Sequence, residues 1–192
     1  MEDNAIAIVT GLPRSGTSMV MQMLKAGGVK PYTDGQRVAD DDNPNGYFEH
    51  AAVKRLASDS SWIADAAGHS LKVIVPLVGR LPTGPQYRVI LVERDLDEVI
   101  ASQQTMLDRS GRAGAGLPPD RLKALLGQQL RLARQGLESR GDVEMISLDY
   151  REAIDQPATA AETIAKLLGI EDAADAMQAA VAPSLYRNRK PG

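Results

Sequence analysis

Residues 5–24 read AIAIVTGLPRSGTSMVMQML. The unbroken apolar run at the start fits a strand covered on both faces. It passes directly into a loop holding Gly11 and Gly16, and then into a helical pattern with Met19, Val20, Met23 and Leu24 on one face. A strand that feeds a glycine loop and then a helix aims backbone N–H groups at one spot, where the helix N-terminus adds partial positive charge. Ser15, Thr17 and Ser18 add hydroxyls there and Arg14 adds a cation. The segment reads as an anion cradle, with phosphate the expected anion, and it confines the chain to α/β architectures.

The rest of the chain repeats the alternation. Further strands are expected over Leu71–Val75, Tyr87–Val92 and Val143–Leu148, after the first at Ala5–Thr10. Helices are expected over Thr17–Lys25, Leu96–Leu107, Pro119–Ser139 and Pro157–Leu168. The third carries a stripe of Leu122, Leu125, Leu126, Ala133 and Leu137; the fourth has Pro at its start and Gly169 at its end. Strands alternating with helices predict a three-layer α/β/α fold around a parallel sheet. Residues 29–46 and 110–118 are Gly-, Pro- and Asp-rich and longer than ordinary connections, as substrate loops are.

Gly11 and Gly16 have the spacing of a Walker A loop, and Ser18 stands in its Ser/Thr place. Thr17 stands where that loop has its lysine, and the cation is Arg14 instead. The run VILVE, ending in Glu93, has the form of a Walker B strand, so a P-loop nucleotide kinase or NTPase is one reading. Arg94 at the end of the third strand and Ser102 eight residues later, about two turns into the next helix, can converge on one phosphate. Between them, Asp95 and Glu98 have the spacing of a capping box.

Together these segments resemble the sulfotransferases that use 3′-phosphoadenosine 5′-phosphosulfate (PAPS). Pro13–Thr17, PRSGT, is similar to the 5′-phosphosulfate loop of the bacterial and tyrosylprotein members. Arg94 with Ser102 matches their 3′-phosphate motif, and the segment from Ile146 to Ile170 resembles their adenine-side segment. The resemblance implies a P-loop, sulfotransferase-type architecture. It implies that Pro13, Arg14, Ser15, Gly16, Thr17, Ser18, Arg94, Ser102 and Tyr150 bind PAPS, with adenosine 3′,5′-bisphosphate (PAP) as product. It places Lys72, in LKVIVP, on the bridging oxygen of the sulfonate beside Arg14. The family's catalytic histidine falls at Ile74, so the proton acceptor must come from elsewhere: Glu49 first, in the NPNGYFEH stretch, His50 second, with Asp34 also available. Met19 stands where cytosolic members have an aromatic residue. Arg187, Arg189 and Lys190 are the available basic residues near the end of the chain.

The chain has 192 residues, a length suited to one domain. It contains no cysteine, which excludes disulfides, a thiolate nucleophile and a Cys-based zinc site. No metal is expected, and the Asp40–Asp42 run reads as a solvated loop. The net charge of −3 offers no global basic field for nucleic acid or an anionic membrane. No apolar run reaches the ~20 residues of a membrane span. The opening MEDNAIAIVTG does not read as a signal peptide, and a cytoplasmic location is the expectation. The expected partner is a small-molecule acceptor with a hydroxyl or amine; oligomeric state is open. Tyr47, Phe48 and Trp62 suit either a pocket or the core. Besides the kinase reading, a PAP-binding regulatory module without turnover accommodates Ile74.

Overall fold

The computed structural model describes residues 4–37, 43, 46–111, 113–114 and 116–182. Its sheet has four strands: β1 (Ile6–Gly11), β2 (Ser70–Lys72), β3 (Tyr87–Glu93) and β4 (Val143–Asp149). The order is β2-β1-β3-β4 and every pairing is parallel. The helices are α1 (Thr17–Ala26), α2 (Val75–Val78), α3 (Leu96–Ser110), α4 (Pro119–Glu138), α5 (Tyr150–Asp155), α6 (Pro157–Leu168) and α7 (Ala174–Ala179). Short 3₁₀ turns cover Ala51–Arg55, Ser61–Ala66 and Glu171–Ala173.

Strand periodicity divides the core into two layers. On β1, Ala7 and Val9 face Val20 and Leu24 of α1, Ile164 and Leu168 of α6 and Met177 of α7. Ile6 and Ile8 face the opposite way, toward Val53, Ile63 and Leu137. Both faces of β1 are buried, as its unbroken apolar run requires. Each aliphatic side chain buried in full contributes about 1.5–3 kcal/mol. Proline at the start of α6 and left-handed Gly169 (φ 63°) after its end fix that helix to the limits expected. Asp95 caps α3, accepting from the amides of Asp97 (2.9 Å) and Glu98 (3.2 Å).

This topology places the site. The chain leaves β1 for β2 on one side and then crosses to β3 on the other, so a crevice opens at the carboxyl ends of neighbouring strands. Register aligns Gly11 with Val92, and Val9 with Lys72. The glycine loop, Arg94 and Lys72 therefore emerge at the same edge of the sheet.

Three details differ from the sequence reading. The strand expected over 71–75 ends at Lys72, and Val75 begins α2, because Pro76 cannot donate to a strand ladder and suits a helix's first turn. Leu125 is 42% exposed: it and Leu126 are consecutive, and only Leu126 faces the core. Tyr150 opens α5 directly after β4, with Asp149 as the cap that accepts from Glu152 N (2.9 Å).

Candidate functional site

A cavity of about 830 Å³ opens at the carboxyl end of the sheet. Its lining includes Pro13, Arg14, Gly16, Thr17, Ser18, Glu49, His50, Lys72, Arg94, Ser102 and Tyr150, all expected from sequence. Ser15 is the expected residue that does not line it. Its side chain is 1% exposed and turned beneath the loop, where a Cβ on Gly11 would come within 2.4 Å of its Oγ. Its amide closes a turn onto the carbonyl of Leu12 (3.0 Å).

Left-handed backbone builds the loop. Gly16 has φ 103° and caps α1, and its carbonyl accepts from the amides of Met19 (3.0 Å) and Val20 (3.4 Å). Glycine is required for space as well, since a Cβ there would lie 2.2 Å from Cδ2 of Tyr150. Arg14 has φ 76° and Phe48 φ 54°, conformations that cost a non-glycine residue about 1–3 kcal/mol each and recur at working sites.

Three hydrogen bonds strap the loop to α3 and the end of β3. Arg14 Nε donates to Ser102 Oγ (3.0 Å), Arg94 Nη1 to the Arg14 carbonyl (3.1 Å) and Gln103 Nε2 to the Pro13 carbonyl (3.0 Å). Arg94 and Ser102, which the sequence separates by eight residues, thus converge on Arg14 from both sides. The Arg94 side chain is 7% exposed; it lies over the Tyr150 ring (4.9 Å) and donates from Nε to Glu98 Oε2 (3.0 Å). Glu98 is 3% exposed and also faces Arg151 (3.7 Å). The capping-box reading therefore covers only part of its role, because its carboxylate also balances the buried guanidinium.

Lys72 enters from β2. Its Nζ donates to Ser18 Oγ and to the Tyr47 carbonyl, each at 3.1 Å. Burial pulls its pKa down to about 8; Glu49 opposes that shift, while Arg37 and Arg14 reinforce it. Ser18 Oγ also accepts from Asn43 Nδ2 (2.8 Å), whose second bond reaches the Gly46 carbonyl (2.6 Å).

The three proton acceptors differ in availability. Asp34 accepts from the amides of Ala51 (2.6 Å) and Gln36 (3.0 Å), and these bonds hold its carboxyl below the usual range. His50 Nδ1 accepts from Ala52 N (3.2 Å), and the ring stacks on Tyr32 (4.8 Å) and Trp62 (5.4 Å). Glu49 lies just ahead of the 3₁₀ turn that begins at Ala51, and its Oε1 accepts from Arg37 Nη1 (2.8 Å). Ile74, which the resemblance aligns with the family's histidine, lines the cavity.

Sequence reasoning passed over Arg37, Asn43 and Lys54. Asn43 opens NPNG, a sequence that reads as a turn, and nothing in the local pattern marks Arg37 or Lys54. Tyr47 lines the cavity, whereas Phe48 packs beside the α1 layer and Trp62 on the opposite layer. Glu93, the Walker B candidate, is bound by Arg134 (2.5 Å) and stands outside the cavity. Among the described residues no group of three or more His, Asp or Glu side chains is placed to hold a metal ion, and no helix is long and apolar enough to cross a membrane. Asp40–Asp42, Arg187, Arg189 and Lys190 lie outside the described residues.

No protein family matches the chain by sequence, and no curated protein does. Solved structures do match by fold. The sulfotransferase domain of the Synechococcus PCC 7002 olefin synthase superposes with a TM-score of 0.50 at 16% identity, over 89% of this chain and 76% of that one. The sulfotransferase domain from the curacin biosynthetic pathway gives 0.50 at 12% identity, over 86% and 74%. A sugar kinase from Janibacter sp. HTCC2649 gives 0.45 at 16% identity, over 89% and 98%. The chain has a sulfotransferase-like α/β fold.

Proposed function

We propose that the protein transfers a sulfonate group from PAPS to a hydroxyl or amine of a small-molecule acceptor. The observation that carries the reading is the convergence in one cavity of the Pro13–Ser18 loop, Lys72 from β2 and the Arg94–Ser102 pair from β3 and α3. Those elements supply two anion sites with separate chemistries. The loop amides, Arg14 and Lys72 suit the phosphosulfate end, where charge grows on the departing phosphate oxygen. Ser102 and Arg94 suit a phosphate on the ribose. The Tyr150 ring, against Gly16, offers an apolar surface beside the loop.

In the transfer, the acceptor oxygen or nitrogen forms a bond to sulfur as the bond from sulfur to the phosphate oxygen breaks. The acceptor's proton passes to Glu49, the base that the sequence reading ranks first. Lys72 and the loop amides hold the charge left on the 5′-phosphate of PAP. Thr17 at the Walker lysine position and the engagement of Glu93 by Arg134 weigh against ATP chemistry.

Thermal unfolding with PAP, ADP, and ATP with Mg²⁺ tests this reading. At about 100 times the dissociation constant a ligand stabilises by about 2.7 kcal/mol. For a chain of this size that raises the melting temperature by roughly 5–11 °C. The expected result is a shift with PAP, a smaller one with ADP, and a weakened PAP preference in Ser102→Ala. A shift with ATP and Mg²⁺ but none with PAP would sink it. PAP binding without turnover over a broad acceptor panel would favour the regulatory module, the reading that Ile74 in the cavity wall supports.

A further inference from the structure

The cavity holds more positive charge than the donor reading uses. Arg14, Lys72 and Arg94 serve the donor end in that reading; Arg37 and Lys54 also line the cavity, as do Glu49 and His50. Arg37 lies flat on the Tyr47 ring (3.4 Å from its centroid) and binds Glu49 Oε1 at 2.8 Å. For a neutral acceptor this arrangement is counterproductive, because a guanidinium occupies an oxygen of the group that must take the proton. The pair is also open to exchange: its side chains are 44% and 32% exposed, and an ion pair so exposed holds its partners only weakly. Val53, Ile74 and Leu77 form an apolar wall in the same cavity.

We infer that the acceptor is itself an anion, a hydroxy acid with an apolar body, and that Arg37 is the residue that selects it. This rests on the sulfotransferase reading of the site. The acceptor's carboxylate takes the guanidinium from Glu49 while its body lies against Val53, Ile74 and Leu77. Arg37 stays seated on Tyr47 and changes only its anionic partner. Glu49 is released at the moment an acceptor is seated, so recognition of the charge and readiness of the base are one event. Lys54, exposed on the 3₁₀ turn after His50, adds long-range attraction for the same anion.

The test is calorimetric titration of the PAP-saturated protein with 3-hydroxydecanoate and with its methyl ester. The acid is expected to bind about tenfold tighter, the scale of one charge-assisted hydrogen bond. Arg37→Gln should erase that ratio by weakening the acid alone, and Arg37→Lys should keep part of it. The PAP-induced rise in melting temperature reports that each variant is folded. Equal binding of acid and ester, a ratio that survives in Arg37→Gln, or no binding of either probe would overturn the inference. If PAP gives no stabilisation, the donor reading fails first. The same titrations on the free chain then still decide the matter: acid preference lost in Arg37→Gln upholds the anion site, and its absence refutes it.

Discussion

Lys72 shows how one residue's burial sets both a stability cost and a working range. With its pKa drawn down to about 8 from 10.5, it is charged in the folded and unfolded chains alike below about pH 8, and the full cost of burying that charge is present there. Between about 8 and 10.5 the unfolded chain binds more protons than the folded one, so stability rises with pH across that window. Binding runs the other way, because the charge that would meet a phosphate is lost over the same range. Urea midpoints of the ligand-free protein should therefore climb above pH 8 relative to Lys72→Met, while PAP affinity falls. Midpoint curves that stay parallel for the two proteins would show that Lys72 does not titrate there.

At the scale of elements, the loop between β1 and α1 depends on what α5 places against it. Gly16→Ala adds a strained φ of 103° and a collision with Tyr150. Gly68, at φ 73° with open space around it, isolates the first effect. Gly68→Ala should cost about 1 kcal/mol; Gly16→Ala should cost more, and should also weaken PAP binding because the displaced ring carries Arg94. Equal losses in denaturant unfolding would show that the Tyr150 contact is soft. Much at this scale was legible from sequence. β1, β3, β4 and α6 announce themselves by apolar runs, Pro157 and Gly169, and the spacing of Arg94 to Ser102 survives folding because a helix converts eight residues into about two turns. What was not legible has a common cause. Ser15 carries the right hydroxyl, yet the turn that closes on Leu12 buries it; Glu98 looks like a cap until the tertiary fold gives it Arg94; Arg37 acquires meaning only when Glu49 and Tyr47 come from another part of the chain.

For the molecule as a whole, charge is distributed against its total. The chain carries a net −3, yet among the described lining residues six cations face two carboxylates. Such a concentration draws anions through the field of the cavity, and salt screens that field over a length of about 8 Å at 0.15 M. PAP affinity should fall by roughly an order of magnitude between about 0.05 and 0.5 M NaCl, chiefly through a slower association rate. Stopped-flow binding measures it, and a rate indifferent to salt would mean that local contacts alone govern capture.

The central position of β1 has a consequence for synthesis. Both neighbours of this strand follow it in the chain: β2 begins at Ser70 and β3 at Tyr87. At about 5–20 residues per second the ribosome takes roughly 4–15 seconds to supply the far partner. For most of that interval, until Ser70–Lys72 is made, an apolar ribbon destined to be covered on both faces has no strand to pair with. The stability of the finished sheet gives that ribbon no protection while its partners are still unmade.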